Sequence, residues 1–74
     1  MAKIPVHTEL TGMLAVQSAE DGAFVQEGDR IGEVECMKAF FPLDAPASGY
    51  ITWYIELGGV VGPEDVIAEI RQEA

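Results

Sequence analysis

The sequence predicts an all-β fold built as a sandwich of two related halves, and three observations predict it. Apolar residues alternate with polar or small ones in short runs, the period of a half-buried strand. Clusters of Gly, Pro, Asp and Ser separate these runs and supply turn chemistry, while no segment sustains a 3.6-residue period with caps. The strand pattern also occurs twice: Thr11-Gly12-Met13-Leu14 lies over Ser48-Gly49-Tyr50-Ile51 at an offset of 37. That offset brings Gly22 over Gly59, and after one deletion Asp29 to Val34 lies over Asp65 to Ile70. Neither half alone could bury its apolar face, so the repeat implies two halves packed about a pseudo-twofold axis.

Ile4-Pro5-Val6-His7-Thr8-Glu9-Leu10 opens the chain with alternation, and Pro5 places this strand at a sheet edge or strand start. Met13 to Val16 forms the second strand and runs into the turn cluster Ser18-Ala19-Glu20-Asp21-Gly22. Ala23-Phe24-Val25 is a brief third strand, ended by Glu27-Gly28-Asp29, and Arg30 to Glu35 alternates again as the fourth. After Lys38, Ala39 to Leu43 reads as a strand, and the prolines of Asp44 to Gly49 preclude a helix there. Tyr50 to Ile55 is the most β-prone run, and the adjacent Trp53-Tyr54 pair breaks the alternation, so one ring faces outward. Val60-Val61 is short, Gly62-Pro63-Glu64-Asp65 is a turn, and Val66 to Ile70 is the last strand. Arg71 to Ala74 is expected to be a loose tail.

With 74 residues there is room for one domain and one modest core, which leaves no multi-layer catalytic cleft. Thirteen acidic residues against four basic ones give a net charge of −9, which repels a polyphosphate and excludes nucleic-acid binding. No apolar run approaches the roughly 20 residues of a membrane helix, and no signal segment opens the chain, so a soluble protein is expected. One cysteine cannot form an internal disulfide, and His7 and Cys36 are too few soft ligands for a zinc site. A lone thiol suits a reducing compartment.

Lys38 is one of two lysines and stands near the middle of the chain, in the link between strands four and five. A two-residue hairpin there needs a primed turn, which favours Asn or Gly, so Met37 and Lys38 were not chosen for turn propensity. An exposed Met37 costs solubility without serving a core. Schiff-base catalysis by Lys38 would need an amine deprotonated by burial or a neighbouring cation, and a tip flanked by Glu33 and Glu35 offers neither. An amine acylated once by an outside enzyme needs no such pocket. His7 and Cys36 carry no spacing or oxyanion motif that would pair them as base and nucleophile.

Glu35, Met37 and Lys38 at the centre of a duplicated strand pattern, with Gly-Asp turns and Ser48-Gly49 opening the second half, resemble the biotinyl/lipoyl attachment domains of the biotin carboxyl carrier type. The resemblance covers residues 3–71 as one domain, with 72–74 as a tail. It implies a flattened barrel-sandwich of two four-stranded antiparallel sheets with the modified lysine on a hairpin tip. The family's biotin motif is Ala-Met-Lys-Met, often after Glu; Cys36 stands here for the alanine and Ala39 for the second methionine. Ala39 is similar to the Asp-Lys-Ala of lipoyl domains, whereas Met37 matches the biotin motif at the position where the two groups differ most. No room remains for the thumb insertion of some bacterial carriers.

The resemblance implies biotin attached to Lys38, with Glu35, Cys36, Met37 and Ala39 as the recognition motif, and lipoate as the alternative. Biotin protein ligase would acylate the amine, biotin carboxylase would load a carboxyl group, and carboxyltransferase would pass it on. The chain would be a non-catalytic carrier, a subunit or a domain of a biotin-dependent carboxylase, in the cytoplasm or an organelle matrix. The other expectations are a lipoyl carrier of a 2-oxoacid dehydrogenase complex and an unmodified adaptor with the same fold.

Overall fold

The computed structural model describes residues 2–72, which form eight strands and no helix. They are β1 (Ala2–Val6), β2 (Gly12–Gln17), β3 (Phe24–Val25), β4 (Arg30–Cys36), β5 (Ala39–Asp44), β6 (Gly49–Trp53), β7 (Val60–Val61) and β8 (Ala68–Gln72). Two four-stranded sheets of order β1-β8-β6-β3 and β5-β4-β2-β7 pack face to face, and every pairing is antiparallel. Each sheet therefore draws two strands from each half, so the halves interlock rather than lie side by side.

The alternation explains the core. Leu14, Ile31, Val34, Ile51, Val61, Ile67 and Ile70 are fully buried between the sheets, joined by Val6, Val25 and Leu43. Burial of this apolar area, at about 25 cal/mol per Å2, is what offsets the ordering of so short a chain.

The repeat is visible in the hydrogen bonds. Gly22 and Gly58 both adopt left-handed backbone, φ 88° and 90°, and their amides donate to the carbonyls of Ile51 and Leu14, which are equivalent positions. Gly22 thus corresponds to Gly58, and not to Gly59 as the sequence offset suggested. The missing residue lies earlier than the turns: β2 carries a bulge between Leu14 and Val16, whereas β6 pairs with β8 without interruption. The offset is 37 before that bulge and 36 after it. Across the axis, Gln17 Nε2 donates to the Ile55 carbonyl at 3.0 Å and Trp53 Nε1 donates to the Ala19 carbonyl at 2.9 Å, one bond from each half. Trp53 packs against the core and Tyr54 is exposed, so the outward ring of that pair is the tyrosine.

Pro5 lies in edge strand β1, as expected, and Pro42 occupies the equivalent place in edge strand β5, opposite Glu69 and Glu33 respectively. Several limits differ from the sequence reading: β6 ends at Trp53 and not Ile55, and β8 begins at Ala68 and not Val66. The first strand runs from Ala2 to Val6, because His7 to Thr11 turns away toward β2, with Thr8 Oγ accepting the Leu10 amide. Arg71 and Gln72 are not tail residues but the end of β8, paired with Lys3 and Ala2. Of the expected tail, Glu73 and Ala74 lie outside the described residues.

Candidate functional site

β4 and β5 are joined by the two-residue turn Met37-Lys38, closed by the Cys36–Ala39 pair. Met37 has φ 52° and Lys38 φ 65°, the left-handed pair that a primed hairpin turn demands. Neither is glycine or asparagine, and left-handed backbone costs an ordinary side chain about 1–2 kcal/mol per residue. Six register pairs between β4 and β5 hold the turn against that cost. Among the described residues, these are the non-glycine positions with positive φ.

The turn throws both side chains into solvent. Met37 is 94% exposed, and Lys38 and Ala39 are also exposed. Cys36 is half-buried with a free thiol, on the Val34 side of β4, while Glu35 faces the other way between Met13 and Phe40. Glu33 forms an ion pair with Arg30 at 3.7 Å, which draws it away from the tip. All five residues of the expected motif are therefore gathered at one end of a molecule 39 Å long, the pole opposite Ala2 and Gln72.

The other sequence candidates lie outside this cluster. His7 Nδ1–H donates to the Asp65 carbonyl at 2.9 Å, and no hydrogen bond joins it to Cys36. His7 instead lines an open groove with Leu10, Phe41, Leu43 and neighbouring residues. Among the described residues no three His, Cys, Asp or Glu side chains are grouped to hold a metal ion. None forms a helix long and apolar enough to cross a membrane.

The sequence reading missed the exposed apolar residues beside the tip. Phe40 is 57% exposed and Val60 77%. The adjacent Phe40-Phe41 pair was a signal, since alternation obliges one of the two rings to leave the core.

A β-sandwich that presents Lys38 on a strained, solvent-exposed hairpin turn has the form of an attachment-type domain. Comparison with known proteins agrees. The sequence profile of the family described as "Biotin-requiring enzyme", the biotin/lipoyl domain, matches residues 6–70, and the chain belongs to that family. It is 32% identical over 66 residues to an acetyl-CoA carboxylase of Dictyostelium discoideum, a stretch that is 89% of this chain and 3% of that protein. Among solved structures it is similar to the urea carboxylase of Kluyveromyces lactis, with a TM-score of 0.85 and 26% identity over 96% of this chain and 6% of the other. A single-chain, multi-domain long-chain acyl-CoA carboxylase gives a TM-score of 0.78 and 26% identity, over 97% of this chain and 7% of the other. The chain thus spans a small fraction of the length of each relative.

Proposed function

We propose that Lys38 is acylated by biotin and that the chain is a non-catalytic carrier, moving a carboxyl group between a biotin carboxylase and a carboxyltransferase. The observation that carries this reading is Met37-Lys38 on the exposed turn of a biotin/lipoyl domain that resembles segments of carboxylases. The residues fit the group: among the described residues no carboxylate forms an ion pair with the Lys38 amine, and the turn leaves it open to an acylating enzyme. Bound biotin supplies a ureido nitrogen that can accept and release a carboxyl group. The β4–β5 ladder fixes the root of the arm while the lysine side chain turns freely. Tethering converts a diffusional encounter into a local one at an effective concentration on the order of millimolar. We also propose a cytoplasmic or, in a eukaryote, organelle-matrix location, in keeping with the free thiol of Cys36.

Ala39 favours a second reading, lipoate on the same lysine. Co-expression with biotin protein ligase, followed by intact mass measurement and an avidin blot, separates the two. A biotin adduct that disappears in Lys38→Arg is expected. A lipoyl adduct instead, or a biotin adduct that persists in Lys38→Arg, overturns the proposal.

A further inference from the structure

The pseudo-twofold axis sets up an internal control on the outer faces of the sandwich. At the level of the lysine hairpin, the register aligns Phe40, Glu35, Met13 and Val60 across β5, β4, β2 and β7. The equivalent row on the other sheet is Lys3, Arg71, Tyr50 and Phe24 across β1, β8, β6 and β3. In that second row the neighbours engage one another. The Phe24 and Tyr50 rings meet edge to face at 5.4 Å and 74°, and the Arg71 guanidinium lies 5.6 Å above the Tyr50 ring. Such contacts satisfy a surface from within.

The row beside the lysine has no comparable arrangement. Phe40, Met13 and Val60 are 57%, 37% and 77% exposed, and a carboxylate occupies the place that Arg71 holds opposite. Four strands at about 4.8 Å make a strip about 14 Å wide. Met37, 94% exposed, extends it past the turn. Apolar side chains standing together on an otherwise acidic surface mark a contact face.

We propose that this strip is the docking face for the enzyme that acylates Lys38, a protein surface offering apolar contact to Phe40, Met13 and Val60 and a cation to Glu35. This rests on the reading of Lys38 as the acylated residue. Charge selects the occupant: the chain carries a net −9, so a second copy would repel as a whole and set Glu35 against Glu35, while a basic surface is attracted. Position does so too. Phe40 follows Lys38 by two residues, so a partner seated on the strip has the amine at its rim. Val60, two strands beyond β4 and far from Lys38 in sequence, contributes only if the partner covers the strip.

The test is steady-state kinetics of biotin protein ligase with the full chain as substrate. Met13→Gln, Val60→Thr and their combination preserve side-chain length or β-branching, and Phe24→Thr alters the opposite face; amide spectra check that each is folded. The double variant is expected to raise KM about tenfold with kcat within about twofold, because these side chains touch the partner and not the reacting amine. Added salt should raise the wild-type KM, and Phe24→Thr should match wild type. An unchanged KM in the folded double variant overturns the docking face, and so does a wild-type dimer in sedimentation that Val60→Thr dissociates. A wild-type chain that gains no adduct on Lys38 sinks the functional reading itself. An acylated wild type with indifferent strip variants sinks only the docking face.

Discussion

Leu14 and Ile51, Ile31 and Ile67, and Val34 and Ile70 occupy equivalent places in the two halves and are all fully buried, whereas the equally equivalent Met13 and Tyr50 stand among opposite neighbours on the outer faces. The interior of the repeat is held to one pattern because each half closes over the other and any change of volume is felt by both. The faces are not so bound. One of them has acquired an aromatic pair with a guanidinium stacked on it, and the other has kept apolar side chains bare around a carboxylate. The difference teaches which part of a duplicated fold is free to take up a task.

The comparison can be broken most forcefully in the core. Leu14→Ala and Ile51→Ala should each cost about 2–5 kcal/mol in urea unfolding, and the two losses should agree within about 1 kcal/mol. A large inequality would mean that the halves share a pattern without sharing the load. The Met37-Lys38 turn links the two halves at one pole, and its counterpart by the offset of 36 lies outside the described residues. Met37→Asn, which tolerates left-handed backbone, should raise stability by about 0.5–1 kcal/mol while slowing acylation of Lys38. Equilibrium denaturation and ligase assays would read the two effects separately.

On the faces the expected effects are smaller. Phe24→Ala removes the edge-to-face contact and should cost about 0.5–1.5 kcal/mol, whereas Val60→Ala at the equivalent place should stay within about 0.5 kcal/mol. The smallest difference concerns Tyr54 and Glu69, whose counterparts are Ser18 and Glu33. The Tyr54 hydroxyl donates to Glu69 Oε1 at 2.9 Å, and that bond, with slight desolvation and the carboxylate's charge behind it, raises the phenol pKa above its ordinary value. The proton is held more tightly in the fold, so the contribution is intact below about pH 10 and is lost as pH rises through the raised pKa. Tyr54→Phe should flatten the alkaline end of the stability profile, as a thermal-melt series across that range would show.

Much of the fold was legible because period-two alternation and turn residues are local signals. All eight strands, the edge position of Pro5 and the exposure of one ring of Trp53-Tyr54 came from them. The bulge at Ala15 did not, since an extra residue in a short strand shifts an offset without leaving a turn signal, and Gly22 was accordingly matched to Gly59 in place of Gly58. Arg71 and Gln72 read as tail because a polar pair carries no alternation, yet β1 pairs with both. At the site, Met37 and Lys38 stood out by violating turn chemistry, which a sequence displays directly. The strip of Phe40, Met13 and Val60 is assembled from three strands distant in the chain, and only the register between them brings it together.

The two edge prolines have a bearing on how the domain parts from what it touches. The Cys36–Ala39 pair closes a two-residue hairpin, so hydrogen-bonded pairs alternate from there and the ring nitrogen of Pro42 points to the open side of β5; Pro5 does the same on β1 by pseudosymmetry. The remaining edges, β3 and β7, are two residues each. Among the described residues, a foreign strand laid along any of the four margins finds a missing donor or runs out of ladder, which blunts edge-to-edge pairing. Encounters are left to side chains. Contacts of that kind release quickly, which suits the carrier role proposed for Lys38.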